Sequence, residues 1–199
     1  MEERAINEKE SLEIISRMIQ SAKTSLSDSS IFYLLWGWLV LIALIMEYVL
    51  QKINYPYFFI GWLVLMPAGF VASFIIGSMK SKRQKMRTYI DQFMTYLWSG
   101  FGISLLIILF FQQKFGSDAV YPLVFVLYGL GTFVSGGAIQ FRPLQIGGVI
   151  CWSLAIARFF VNHDLQLLFG MIIMLSAYIV PGYLLRAQFK KQKLNPAAS

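Results

Sequence analysis

Long stretches without charged residues divide the chain into predicted membrane spans. Runs free of Asp, Glu, Lys and Arg cover residues 29–46, 53–79, 92–113, 119–141, 143–157 and 165–185. All but 143–157 reach the roughly 18 residues that indicate a membrane helix. The exception becomes long enough if Arg158 lies at the interface and residues 159–161 complete the span. The pattern therefore predicts an all-α membrane bundle of three helical hairpins, with six transmembrane helices at about 31–50, 57–79, 93–111, 121–139, 143–161 and 165–185.

The residues before the first span predict a cytosolic amphipathic helix over residues 1–30. Its apolar positions alternate three and four residues apart, on one helical face: Leu12, Ile15, Ile19, Ala22 and Leu26. Residues 12–26 can dimerise, dock on a protein partner or lie against the ends of the spans. The last alternative is favoured, because so short a heptad pattern rarely forms a coiled coil alone. Residues 28–30 supply capping oxygens where the first membrane helix is expected to begin.

Composition places the chain among integral membrane proteins. Hydrophobic residues make up 57% and charged residues only 14%, whereas charged residues approach a quarter of a soluble domain. The first thirty residues are rich in Glu and lack an apolar signal-peptide core, so we expect the first span to direct membrane insertion. The predicted domains are the arm 1–30, the transmembrane domain 31–187 and a basic cytosolic tail 188–199.

The distribution of Lys and Arg predicts the orientation of the spans. A dense basic segment separates spans two and three: Lys80, Lys82, Arg83, Lys85 and Arg87. Such clusters resist translocation, so this loop, the tail and both termini are predicted to be cytoplasmic, most simply at a bacterial inner membrane. The formal charge of +7 then lies on the cytoplasmic face and attracts anionic lipid. Nucleic-acid binding is not predicted, because its interleaved aromatic residues or motifs are missing.

Small residues at helical spacing predict close helix packing. They occur four residues apart within spans two, three and four: Gly69, Ser73 and Gly77; Gly100 and Ser104; Thr132 and Gly136. Packing within the bundle or between oligomer subunits is favoured over a permeation path. Pro67 and Pro181 can kink spans two and six and free backbone carbonyls there.

A few ionisable residues near one end of the spans form a candidate polar cluster. Glu47 lies near the end of span one, Arg158 near the end of span five, and His163 and Asp164 in the following turn. Glu47 and Arg158 can pair across the bundle, but snorkelling to the headgroups is favoured. A single histidine is a poor metal site, and the turn is most simply solvated. No catalytic, cofactor-binding or metal-binding residues are predicted.

The chain resembles a family of small bacterial membrane proteins. Trp36-Gly37, Gly61-Trp62 and the three-hairpin layout are similar to those of the six-span proteins of unknown function that include the HdeD-like acid-stress membrane proteins. The resemblance implies a six-span fold and carries over no catalytic residues. The amphipathic arm departs from that layout.

Three functions are consistent with these features. The leading one is a non-enzymatic membrane protein that forms oligomers or binds a partner. The second is a small permease or channel-like transporter that uses the polar cluster. The third, ranked last, is a membrane enzyme acting at the outer face through His163, Asp164 and Glu47, since these residues specify no reaction.

Overall fold

The protein is helical throughout the part of the chain that the structure describes. A computed structural model describes the backbone of residues 8–83, 89–161 and 165–194. Its elements are α1 (Glu8–Lys52), α2 (Ile60–Arg83), α3 (Tyr89–Phe115), α4 (Ser117–Ala138), α5 (Arg142–Ala157), a 3₁₀ turn (Arg158–Phe160), α6 (Gln166–Ile173), a π-helical segment (Met174–Ile179) and α7 (Val180–Leu194). No strand occurs among these residues, and the prediction of an all-α fold is confirmed for them.

Five stretches of helix are long and apolar enough to cross a membrane. They are Ser30–Lys52, Ile60–Met79, Tyr89–Phe115, Ala119–Ala138 and Gln166–Gln188, and they coincide with five of the predicted spans. The remaining helix, α5, has 16 residues and is followed directly by the 3₁₀ turn. It is apolar but shorter than the other five stretches.

Helix α1 does not begin at residues 28–30, although its apolar stretch starts at Ser30. Helix α1 continues through them without interruption from Glu8 to Lys52, so the capping function that the sequence predicted for these residues is not used. Intrahelical hydrogen bonds satisfy the backbone there, because each N–H still finds the carbonyl four residues earlier. The amphipathic face and the boundary at residue 30 stay predictions.

The core lies between α1, α4, α5 and the last helical stretch. Helix α5 packs on α4 and on the π-helical segment, while α1 packs on the π-helical segment and α7. Helix α2 lies mainly against α1, and α3 mainly against α4. None of the residues of α3 is buried. Helices α2 and α3 are therefore peripheral to a core built by the other elements.

Glycines bring the core helices unusually close together. A Cβ atom on Gly147 would lie 2.7 Å from Cα of Ala177, and one on Gly148 would lie 2.7 Å from Cβ of Phe133. Real Cβ atoms are not found that close to other atoms, so α5 can sit between α4 and the π-helical segment only because these positions lack side chains.

A tight turn joins α4 to α5. The N–H of Gln140 donates to the Gly137 carbonyl, and the N–H of Phe141 donates to the Gly136 carbonyl. Gln140 takes a positive φ of 53°. Pro143 then falls in the first turn of α5, where its missing N–H has no helical partner to lose.

A widened turn precedes Pro181 in the last helical stretch. The N–H of Val180 donates to the carbonyl of Leu175, five residues earlier. Pro181 has no N–H and cannot continue the ordinary ladder to Ala177. The sequence predicted a kink at Pro181, and the structure places a π-helical segment over Met174–Ile179 immediately before it. Such segments are rare in helices.

Candidate functional site

Glu47 is buried in the bundle near the end of α1. Its side chain is 6% exposed, and three neutral groups donate hydrogen bonds to its carboxylate. The indole N–H of Trp62 donates to Oε2 at 2.7 Å, while Gln51 Nε2 and the Tyr121 hydroxyl approach Oε1 at 3.2 and 3.4 Å. The contacts connect α1 to both α2 and α4. Hydrogen bonds from several donors are what a carboxylate needs when it leaves water.

Arg158 is buried at the same end of the bundle, in the 3₁₀ turn after α5. Its side chain is 9% exposed. Nε and one terminal nitrogen donate to Oε1 of Gln166 at 3.2 and 3.1 Å, and the other terminal nitrogen donates to the Val161 carbonyl at 3.1 Å. Arg158 thereby joins the end of α5 to the start of α6.

Tyr121 and Gln166 are the partners of the two charged residues on neighbouring helices. Oε1 of Gln166 accepts from Arg158, and the Tyr121 hydroxyl donates to Glu47. We call these residues the polar network: Glu47, Gln51, Trp62, Tyr121, Arg158 and Gln166. Three of its members donate to the carboxylate of Glu47, and Arg158 donates to Gln166.

The structure places two of the four predicted cluster residues at the same end of the bundle. Each is bound by a neutral side chain of a neighbouring helix, Glu47 by Tyr121 and Arg158 by Gln166. The prediction that they snorkel to headgroups is wrong, because both side chains are buried against other helices. Their burial is tolerable because polar side chains on neighbouring helices satisfy them. His163 and Asp164 lie outside the described residues.

The neutral members of the polar network were not predicted from the sequence. Gln166 was one signal, since an amide at the start of an apolar run must find a partner when buried. Trp62 and Tyr121 look like ordinary interfacial aromatic residues. Their sequence distances from Glu47, 15 and 74 residues, hide the contacts until the helices are packed.

The predicted small-residue positions divide into packed and open sites. At Gly69 a Cβ atom would lie 2.8 Å from Leu39, and at Gly136 2.8 Å from Leu144. Thr132 is fully buried. At Gly77 and Gly100 a Cβ atom would meet nothing within 4 Å. Those two glycines do not serve close packing within this chain.

A cluster of aromatic rings forms around two buried tyrosines, Tyr33 and Tyr178. Tyr33 on α1, Trp98 on α3 and Tyr178 in the π-helical segment have ring centroids 5.8–6.3 Å apart. Tyr128 on α4 lies 5.5 Å from Tyr178. Tyr33 precedes Glu47 by fourteen positions, about 21 Å along a helix, so the cluster is far from the polar network. Three of these ring pairs are edge to face and the Tyr33–Tyr178 pair is tilted, arrangements that are typical of core packing.

The described residues offer no metal site and no exposed thiol. No group of three His, Cys, Asp or Glu among them could hold a metal ion. Cys151 is fully buried in α5. The arrangement of the polar network can hold helices together, and its groups show no nucleophile paired with a base.

Comparison with known proteins identifies no relative. Neither the known protein families, nor the curated proteins, nor the solved structures contain a match to this chain. The likeness to HdeD-like proteins therefore stays a prediction. Length and composition of the helices show a helical membrane protein.

Proposed function

We propose that this protein is a non-enzymatic membrane protein that associates with another membrane helix through α3, and that the first partner is a second copy of the chain. The observation that supports the proposal is the exposure of α3. None of the 27 residues of this helix is fully buried, and Gly100 and Gly102 face open space.

The contrast among the glycines supports this association. In α4 and α5, glycines such as Gly136 and Gly147 leave room for neighbouring helices. Glycine costs about 1 kcal/mol relative to alanine inside a helix, and at Gly100 no contact within the chain compensates for that cost. A helix from a second molecule, packed closely against the small residues Gly100 and Ser104, would compensate for it.

The proposed arrangement in the membrane has six spans and cytoplasmic termini. It rests on the positions of the cations: the basic loop 80–87 and the tail 188–199 lie on one predicted side, against Lys52, Lys114 and Arg158 on the other. Arg186, Lys190 and Lys191 are exposed on α7, where they would contact anionic lipid headgroups. The setting proposed is a bacterial inner membrane.

Energy transfer between donor- and acceptor-labelled copies in lipid vesicles tests the association. We expect transfer that rises with protein-to-lipid ratio and is greatly reduced in Gly100→Leu and Ser104→Leu, because larger side chains separate the helices. Gly100→Leu has room within the monomer, so its folding should be unaffected. Ile103→Leu, an exposed position on the same helix, is the matched control. Wild-type transfer no greater than that of unrelated labelled proteins would rule out self-association.

The amphipathic arm gives a second test of the same proposal. Residues 12–26 would add to self-association or bind a protein partner. Removing residues 1–27 leaves the apolar stretch Ser30–Lys52 intact and should weaken the energy transfer. Unchanged transfer would assign the association to the membrane helices alone.

A small permease or channel is the second candidate, favoured by the buried charges of Glu47 and Arg158. Ionisable residues inside membrane helices commonly mark ion or substrate pathways. Under this alternative, Glu47→Gln and Arg158→Ala would each abolish transport, and exchange of the two charges would restore it. An outer-face enzyme has no support beyond Glu47 in the described residues.

A further inference from the structure

Helix α1 and the last helical stretch, from α6 to α7, pack against each other in opposite directions. A Cβ atom on Gly182 would lie 2.9 Å from Cδ2 of Leu34, and one on Gly170 would lie 3.1 Å from Cδ1 of Leu44. Moving back along α1 therefore corresponds to moving forward along the last helical stretch. The pairing of Leu34 with Gly182 fixes which residues of the two helices lie at the same level.

This contact reaches the level at which both apolar stretches end. The apolar stretch of α1 starts at Ser30, and that of the last helical stretch ends at Gln188. Ser30 and Leu185, which the pairing places at nearly the same level, are each 1% exposed. Both helices continue further, α1 back to Glu8 and α7 on to Leu194. Helices α1 and α7 are thus packed together where they leave the apolar region.

The apolar residues of the arm lie on the face of α1 that contacts the last helical stretch. Helix α1 is continuous, so residues eighteen positions apart are five turns of about 3.6 residues apart and share a face. Ile19 precedes Gly37 by eighteen positions, and Leu26 precedes Leu44 by the same number. Gly37 and Leu44 both pack on the last helical stretch. We call the arm residues on this face the apolar stripe: Leu12, Ile15, Ile19, Ala22 and Leu26.

The face of α7 toward α1 also carries an apolar residue beyond the apolar stretch. Phe189 follows Gly182 by seven positions, about two turns, and so lies on the same face. Its neighbours Gln188 and Lys190 are exposed. The pairing of α1 with α7 brings Phe189 within one residue of the level of Leu26 in the apolar stripe.

We propose that residues 186–194 of α7 dock on the arm of the same chain, with Phe189 against the apolar stripe near Leu26. The docking continues an interface that the structure shows between α1 and α7, and it covers the stripe up to Ala22, which is level with Leu194. Apolar contact stabilises the docking, because these residues would otherwise face water. The inference does not depend on association through α3.

A disulfide between the arm and α7 tests the docking. Lys23 precedes Leu34 by eleven positions and Lys193 follows Gly182 by eleven, about three turns in each helix. Cysteines at these two positions are therefore level with each other and on the facing sides of α1 and α7. Ser21 is two positions from Lys23, about 200° around α1, so Ser21→Cys with Lys193→Cys is the matched control.

The two pairs are compared in a Cys151→Ala background, in lipid vesicles at a low protein-to-lipid ratio, with a mild oxidant. We expect Lys23→Cys with Lys193→Cys to close an intrachain disulfide at least about tenfold faster than the control pair, because the Cα atoms must come within about 7 Å. In the faster pair, Phe189→Ser should slow the reaction by roughly two- to tenfold through loss of apolar contact. Gln188→Ser replaces an exposed neighbour and should leave the rate unchanged.

The docking leaves the outer part of the arm uncovered. Leu12, Ile15 and Ile19 lie beyond the level of Leu194, and under the proposed function they are the part of the arm that contacts a second copy. Ile15→Ser should therefore reduce the energy transfer between copies and leave the disulfide rate unchanged. Slowing of the disulfide by Ile15→Ser would contradict the boundary at Ala22. No energy transfer in the wild-type protein would remove the second copy without affecting the docking.

Three results would overturn the docking. Equal rates for the two cysteine pairs would show that α7 does not face the apolar stripe. A disulfide that joins two chains, instead of closing one, would assign residues 186–194 to the arm of a second copy. Equal rates in Phe189→Ser and Gln188→Ser would show that Phe189 does not hold the contact. The cysteine positions lie outside the apolar stretches, so the membrane bundle should fold in every variant.

Discussion

At the scale of single residues, the space around each glycine determines what that glycine does. Gly148 in α5 lies where a Cβ atom would be 2.7 Å from Cβ of Phe133 and 2.8 Å from the Gly129 carbonyl. The carbonyl belongs to a helix backbone and cannot move aside without shifting α4. Gly137, at the end of α4, has no atom within 4 Å of its Cβ position.

Alanine at these two glycines should therefore have opposite effects. We expect Gly148→Ala to destabilise the protein by about 1–3 kcal/mol through overpacking. Gly137→Ala should be neutral or stabilise by up to about 1 kcal/mol, because alanine favours the helix. Thermal unfolding in detergent, followed by circular dichroism, compares the two. Equal midpoints for both variants would contradict the close approach of α4 and α5.

The candidate site shows how far residue identity alone can lead. Glu47 and Arg158 could be found from the sequence because charges are rare in apolar spans. Their burial could not, because it depends on Tyr121 and Gln166 reaching them from other helices. The sequence shows that a charged residue lies within an apolar span. It does not show which side chains of other helices will form hydrogen bonds with it.

At the scale of helices, attachment to the core differs from one helix to the next. Gly69 in α2 touches Leu39 and Trp36 of α1, and Trp36 also stacks edge to face on Phe70 with ring centroids 5.2 Å apart. Eight residues later, Gly77 faces open space. The sequence predicted one continuous small-residue face over Gly69, Ser73 and Gly77. In the structure α1 packs closely against α2 at Gly69 but not at Gly77.

Leucine at Gly69 and leucine at Gly77 should have different effects on the stability of the protein. We expect Gly69→Leu to push α2 away from α1 and lower the stability by about 1–3 kcal/mol. Gly77→Leu should change it by less than about 0.5 kcal/mol. The shift in unfolding midpoint measures both, with Gly77→Leu as the matched control. A larger loss of stability in Gly77→Leu than in Gly69→Leu would mean that α2 packs on α1 near Gly77 and not near Gly69.

The ends of helices were less predictable than their middles. Each of the five uncharged runs of at least 18 residues contains a long apolar stretch of helix, because hydrophobic length is a property of the sequence itself. Helix α1 passes through the predicted start at residues 28–30, since capping residues only permit a helix to begin there. The π-helical segment before Pro181 also reflects packing, because Gly37 leaves room for Tyr178.

At the scale of the whole molecule, the arrangement in the membrane depends on whether α5 crosses it. Helix α5 is shorter than the other apolar helices. A tight turn joins its start to the end of α4, and Trp152, near its other end, donates to the Val126 carbonyl in the first half of α4. Helix α5 therefore runs back along α4, which is the course that the proposed six-span arrangement requires.

The side of the membrane on which α7 ends distinguishes six crossings from five. In a Cys151→Ala background, single cysteines are introduced at Asn54, Gly116 and Gln188 and labelled with a membrane-impermeant maleimide from the outside of intact cells. Six crossings predict that Asn54→Cys and Gly116→Cys react from outside, whereas Gln188→Cys reacts only after permeabilisation. If α5 does not cross, Gln188→Cys will react from the same side as Asn54→Cys, and the six-span account is contradicted.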